Sequence, residues 1–244
     1  MKELRLGILD CDELADELQS DYGCYSAMFK TLFKPRLQNV SDDIQYVRYD
    51  VLAGQVPSDI EACDAYLVTG SKTGVYDDAP WLPLLSAFLV SAYAQRKRLI
   101  GICFGHQLLA DILGGKAEKS DKGWGVGTLE QTHQFSLNWM QPMPDSLKLL
   151  YSHQDQVTKL PENAVCLYGS EFCPNGAFYI PHRVLCFQGH PEFTKDYCQR
   201  LMILRQARYA PGQFEHASKS LTQMLDEQVV AKWMIAFVKG EDET

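Results

Sequence analysis

A glycine-flanked cysteine between a buried strand and a helix constrains this chain more than any other feature. The run Arg98-Leu-Ile-Gly-Ile-Cys103 is short and apolar, the pattern of a strand covered on both faces. It passes directly into Phe104-Gly-His-Gln-Leu-Leu-Ala-Asp-Ile-Leu113, which has helical spacing and stops at Gly114-Gly115. Gly101-x-Cys103-x-Gly105 has the layout of a nucleophile elbow. The nucleophile of such an elbow sits on a tight turn, and glycines at its flanks remove Cβ atoms that would strike the helix and the neighbouring strand. The turn lifts the thiol above the C-terminal edge of the sheet, where open α/β folds bind ligands. The helix N-terminus adds unpaired N–H groups and a dipole that favour thiolate, and the Phe104 amide is the natural donor to an oxyanion. Read alone, G-x-C-x-G fits equally a tight strand–helix junction around an inert buried cysteine.

The flanking sequence agrees with such a sheet. Leu4–Leu9, Tyr46–Val51 and Ala65–Val68 read as strands, residues 13–33 as helical up to Pro35, and residues 81–96 as a helix with Pro83 in its first turn. Strand and helix alternating at this spacing predict an α/β fold with an open, mostly parallel, doubly wound (flavodoxin-like) sheet. Residues 116–135 are glycine-rich and alternate, which predicts a small antiparallel ribbon. Further strands are expected at 147–151, 165–170, 177–180 and 184–188. The tail reads as helices over 194–209 and 217–238 around Pro211-Gly212, with a frayed end at Glu241-Asp-Glu-Thr244. Without repeats or linkers, residues 1–240 are expected to form one domain, with a catalytic core over about 4–195 and a helical part over about 196–240.

Composition narrows the function. The 244 residues carry a net charge of −8, a surface that repels nucleic acid and anionic membranes, so neither is expected as a partner. No stretch approaches a membrane span and the N-terminus lacks a signal-peptide core, so a cytoplasmic location is expected. None of the eight cysteines forms a C-x-x-C pair, and in a reducing compartment most pack as small hydrophobes. A metal is not expected, because His153 and Asp155 have no further ligand cluster beside them.

A cysteine nucleophile needs a base and often an acid that orients it. Among six histidines His190 stands out, because it follows the apolar run 184–188 at a strand end, in Gly189-His190-Pro191-Glu192. If that strand runs parallel to the one ending at Cys103, the imidazole and the thiol share a sheet edge. Glu192 is placed to accept from the imidazole, and Pro191 stiffens the link.

The two motifs, in this order, resemble the class I (triad) glutamine amidotransferases, and most closely stand-alone proteins similar to the amidotransferase domain of GMP synthase. The match spans roughly residues 4–210. The resemblance implies that Cys103 forms a γ-glutamyl thioester, that His190 acts as base and then acid, and that Glu192 orients His190. It implies an oxyanion hole from Gly70, Ser71 and Phe104, although the family's Gly-Gly-Pro is here Gly70-Ser71-Lys72. Gln107 matches a glutamine lining the substrate pocket, and Tyr151–Val157 resembles an S-H-x-D-x-V loop in which Ser152, His153, Gln154 and Asp155 hold the α-amino and carboxylate ends. Val75–Asp78 and Trp81 fall where the family has a lid-like segment, and equally read as a loop leading into a helix. Gly123–Gly127 reads as structure abutting the site and His106 as a wall of it. His133, His182 and His216 lack context and are taken as structural or surface residues.

The implied substrate is glutamine or another γ-glutamyl compound, with no cofactor. The absence of a phosphate-binding loop leaves the ammonia acceptor to a separate synthetase subunit. The first reading is therefore glutaminase-type hydrolysis that feeds such a partner. The alternative is a γ-glutamyl peptidase or hydrolase acting on γ-glutamyl amines or glutathione-like conjugates. A non-enzymatic binding protein of the same fold is disfavoured by the intact triad.

Overall fold

The computed structural model describes residues 4–37 and 44–243. Its strands are β1 (Leu4–Asp10), β2 (Ile44–Asp50), β3 (Ala65–Val68), β4 (Arg98–Ile102), β5 (Lys116–Lys119), β6 (Gly125–His133), β7 (Ser146–His153), β8 (Asp155–Lys159), β9 (Val165–Gly169), β10 (Ala177–Ile180) and β11 (Val184–Phe187). Its α-helices are α1 (Asp16–Tyr22), α2 (Tyr25–Leu37), α3 (Leu82–Ala94), α4 (Phe104–Ile112), α5 (Lys195–Arg205), α6 (Gln213–Ser220) and α7 (Glu227–Lys239).

The large sheet has the order β2-β1-β3-β4-β11-β10-β9-β6-β7. From β2 to β11 all neighbours are parallel, in the flavodoxin-like order predicted, and from β11 to β7 they are antiparallel. Because successive side chains of a strand face opposite ways, each central strand feeds two cores. Leu6, Ile8, Leu67, Ile100 and Ile102 pack with Phe29 and Phe33 of α2 and Trp233 and Phe237 of α7. Leu9, Tyr66, Val68 and Leu99 pack on the other face with Leu85 and Leu89 of α3 and Leu108 and Leu109 of α4. A third cluster joins Leu18 of α1, Leu201 and Met202 of α5 and Ala217 of α6 with Val126 of β6 and Leu150 of β7, so α5 and α6 lie over the antiparallel end of the sheet.

Four expectations are corrected. The antiparallel ribbon exists, but its strands are β5 and β8, while β6 joins the large sheet beside β7 and β9. Residues 13–33 form two helices separated at Gly23, which takes φ 71°, and the second runs on through Pro35 to Leu37. A missing N–H in the last turn of a helix did not stop it. The helix predicted over 217–238 is two, α6 and α7, with a turn between them. The chain end is held rather than frayed as far as Glu243. Asp242 is buried, accepts from Tyr179 Oη at 2.8 Å and Arg98 Nη2 at 3.2 Å, and pairs with His182 Nδ1 at 3.3 Å. Thr244 lies outside the described residues. Among the described residues no helix is long and apolar enough to cross a membrane.

Candidate active site

The site is built on the C-terminal ends of three adjacent parallel strands, β3, β4 and β11. Their register sets Val68 and Cys186 on either side of Gly101, and Phe187 beside Ile102. One residue past β4, Cys103 takes φ 52° and ψ −100°, a conformation that costs an L-residue on the order of 1–3 kcal/mol. Its backbone is clamped on both sides. Cys103 N–H donates to Phe187 O at 2.9 Å, and its carbonyl accepts from Gln107 N–H at 3.0 Å. A Cβ on Gly101 would stand 2.5 Å from Gly105 O, and one on Gly105 2.3 Å from Val68 O. Both glycines are therefore required by the close approach of helix and strand, as the sequence predicted.

β11 ends at Phe187, and the chain then turns so that His190 N–H donates to Leu150 O of β7 at 2.8 Å. That bond fixes the backbone of the histidine, and two contacts fix its ring. His190 Nδ1 lies 2.7 Å from Glu192 Oε1, and Phe193 stacks on the imidazole at 3.9 Å between centroids, 10° from parallel. Gly70 closes the space opposite, since a Cβ there would stand 2.8 Å from His190 Cε1 and 3.7 Å from Cys103 Cβ. Burial opposes charge on this imidazole, but the Glu192 carboxylate and the neighbouring sulfur of Cys103 outweigh it, and the pKa is raised to about 10. The imidazole is thus held between a carboxylate and a sulfur, both buried, where a proton on the ring is stabilised.

The loop after β3 departs from the family's Gly-Gly-Pro, and the structure shows what holds it instead. Lys72, which stands in place of proline, donates its backbone N–H to Asp12 Oδ2 at 2.9 Å, a bond proline could not make, and its Nζ lies 3.0 Å from Asp12 Oδ1. Thr69 Oγ1 accepts from Cys11 N–H at 2.9 Å, and Thr73 N–H donates to Ser71 Oγ at 3.1 Å. Asp12 and Thr69 thus pin the loop to the end of β1. At the facing helix end, Gly105 N–H is committed to Thr69 O at 3.2 Å, while among the described residues the Phe104 amide, the first of α4, has no backbone acceptor.

Between these walls lies a cavity of about 180 Å³ lined by Ser71, Cys103, Gln107, Ser152, His153, Gln154 and Asp155, among others. The expected Ser152–Asp155 loop is instead the junction of β7 and β8, and all four of its residues reach the thiol's cavity together with Gln107. Gln107 Nε2 donates to Asp155 O at 2.8 Å and to Gln188 Oε1 at 3.0 Å, locking helix to loop. His153 bonds Asp155 O through Nδ1 at 2.9 Å, and its Nε2 would lie 2.7 Å from a Cβ on Gly125, so this ring is a wall held in place by a glycine. Tyr76 lines the cavity beside Asp155, and Trp81 meets Phe104 edge to face at 5.6 Å. Trp124 lines the cavity from the glycine-rich segment, as expected.

The family described as glutamine amidotransferase class-I matches residues 29–205. The chain belongs to the class I glutamine amidotransferases. It is a hydrolytic enzyme of this class. It is 30% identical to gamma-glutamyl peptidase 3 of Arabidopsis thaliana over 80% of this chain and 78% of that one. A glutamine amidotransferase-like protein of Schizosaccharomyces pombe is 28% identical over 97% and 99% of the two chains. A glutamine-hydrolyzing GMP synthase chain of Methanosphaera stadtmanae is 34% identical over 38% of this chain and 50% of its own. Among solved structures, a glutamine amidotransferase from Thermotoga maritima superposes with a TM-score of 0.72 over 99% of both chains at 18% identity, a likeness of fold.

Two features of the amidotransferase escaped the sequence. Arg205 at the end of α5 and Arg208 just beyond line the cavity, and Arg205 Nη1 donates to Ser152 Oγ at 2.9 Å. Only the packing of α5 against β7 brings them there. His106, expected as a wall of the site, is instead fully buried on the far side of α4, its ring 5.1 Å from Phe178. Burial pushes its pKa down to about 3, helped by the charge of His153, and burial likewise lowers His153 to about 4. Both rings are therefore neutral in the fold and take up protons on unfolding once the pH falls below about 6.5. Stability is expected to fall as the pH drops from 7 to 5, each ring contributing about 2 kcal/mol by pH 5. Urea unfolding at stepped pH measures this, and His106→Leu should flatten that limb. An equal slope in the variant would refute the assignment.

Proposed function

We propose that this amidotransferase hydrolyses a γ-glutamyl amide through a thioester on Cys103. The observation that carries the reading is the His190–Glu192 contact at 2.7 Å, made at the sheet edge where Cys103 occupies a strained elbow. His190 takes the thiol proton, and the sulfur attacks the γ-carbonyl. The new C–S bond forms an oxyanion held by the Phe104 amide and the Gly70-Ser71 backbone. The C–N bond then breaks, and the amine leaves with the proton from His190. Water, deprotonated by His190, splits the thioester, releasing glutamate and restoring the thiol. Gln107 and the Ser152–Asp155 loop position the glutamyl end, with Asp155 facing its ammonium.

Residues 1–240 act as one catalytic unit in this reading, in the cytoplasm, where eight free cysteines remain reduced. With glutamine as substrate the product is ammonia, and a separate synthetase is its consumer, by likeness to the GMP synthase chain of Methanosphaera stadtmanae. The peptidase reading is supported by the Arabidopsis gamma-glutamyl peptidase, which matches four fifths of the chain, and the amidotransferase reading by the Schizosaccharomyces pombe amidotransferase-like protein, which matches nearly all of it.

Glutamate release from glutamine and from a panel of γ-glutamyl amides tests the proposal, together with labelling by diazo-oxo-norleucine. The expected result is one label per chain, on Cys103, and turnover of at least one γ-glutamyl compound. A chain that neither hydrolyses any of them nor takes the label sinks it.

A further inference from the structure

We infer that the preferred leaving group carries a carboxylate close to the scissile nitrogen, and that Arg208 is the specificity residue that reads it. This rests on the thioester reading above.

The γ-glutamyl half of any substrate is a zwitterion, which needs one anionic and one cationic partner. The cavity supplies far more positive charge than that. Lys72, Lys119, Arg205 and Arg208 line it against the carboxylates of Asp77 and Asp155, in a protein whose net charge is −8. Lys72 is matched by Asp12 at 3.0 Å. Arg205 bonds a neutral partner, the Ser152 hydroxyl, and among the described residues no carboxylate pairs with it, so beside the residues that receive the glutamyl end it suits the α-carboxylate. Arg208 is exposed, and among the described residues no carboxylate pairs with it. Lys119 stands opposite Asp155 across the β5–β8 pair, so once the glutamyl zwitterion is satisfied the Arg208 guanidinium remains at the mouth.

Its position says which half of the substrate it meets. Lys72, Arg205 and Arg208 line both the thiol's cavity and a second groove of about 470 Å³ that runs between α1 and α5. These three residues mark the threshold that a leaving group larger than ammonia must cross. Further along, the groove lining turns acidic with Asp16 and Glu17. A carboxylate is therefore welcome only within a few bonds of the scissile nitrogen, as in an α-amino acid, and not at the end of a long chain. The substrate class is a γ-glutamyl amino acid.

The probes are γ-glutamylglycine and γ-glutamylglycinamide, which differ only in the terminal carboxylate. Calorimetry on the full-length Cys103→Ala protein reads binding without chemistry. The acid should bind about tenfold more tightly than the amide, the scale of a charge-assisted hydrogen bond. Adding Arg208→Gln should reduce that ratio to about twofold or less, whereas Arg208→Lys, which keeps the charge, should retain part of it. With the intact thiol, kcat/KM should show the same preference. Equal binding of acid and amide, or a preference untouched by Arg208→Gln, overturns the inference. Absence of turnover with every probe overturns the thioester reading instead, and the binding ratio still judges Arg208 on its own.

Discussion

Cys103→Ala is expected to lower kcat for γ-glutamyl hydrolysis by roughly four to six orders of magnitude, because no other group can form the thioester. His190→Ala should cost about as much, since the base and the nucleophile act as one unit, and the double variant should be little worse than either. Glu192→Gln keeps a hydrogen-bonding side chain against Nδ1 but removes the carboxylate that outweighs burial in holding charge on His190, so it should cost less. The stability of the same variants separates chemistry from fold. Alanine keeps the Cβ at φ 52° and therefore the strain, so Cys103→Ala should unfold near the wild-type denaturant midpoint. Cys103→Gly relieves the strain and should be more stable than Cys103→Ala by about 1 kcal/mol. Stopped assays of glutamate release and urea titrations measure both effects. Wild-type turnover by Cys103→Ala would refute the covalent mechanism.

What could be read in the sequence was what local spacing determines. The elbow was legible because a strand, a turn and a helix are consecutive, and the demand for Gly101 and Gly105 follows from that turn alone. His190 and Glu192 were legible because a strand end two residues from an acid implies both a sheet edge and a partner. The parallel order of the central sheet followed from alternation of strand and helix. What failed depended on distant partners. β5 pairs with β8, with Lys119 opposite Asp155, and nothing within 116–135 names that partner. Asp242 looked like part of a charged frayed end, yet Arg98 and Tyr179 bury it.

The same distinction runs through the site. The residues lining the cavity from loops were found because their motifs lie beside strand ends. Arg205 and Arg208 were missed because a basic residue at or beyond a helix end ordinarily faces water, and only tertiary packing brings these two to the cavity and Arg205 to Ser152. Asp12 offered a usable signal. It follows β1 by two residues, on the edge where Gly70 also emerges, and the replacement of proline by Lys72 created an N–H that needed an acceptor. Phe193 was equally visible, next to Glu192, but its stacking on His190 needs the turn after Pro191.

Gly105→Ala is expected to damage the fold. Glycine to alanine inside a helix ordinarily stabilises by about 1 kcal/mol, because alanine loses less entropy and forms helix better. Here the new methyl would stand 2.3 Å from Val68 O and 2.8 Å from Val68 Cβ. The carbonyl belongs to the backbone of a central strand paired on both sides, so it cannot swing away as a side chain would. Helix α4 must therefore move off β3, and overpacking of this kind should reverse the sign and cost about 3 kcal/mol. Gly114→Ala is the control. Its Cβ would have no atom within 4 Å, so its φ of 92° leaves strain as the only penalty, about 1 kcal/mol. Urea midpoints for the two variants should be ordered accordingly, and a Gly105→Ala protein as stable as wild type would refute the packing argument. The activity loss should exceed the stability loss. The shift of α4 carries with it the Phe104 amide, the Gln107 side chain and the clamp on Cys103, so protein that remains folded should still present a misaligned thiol.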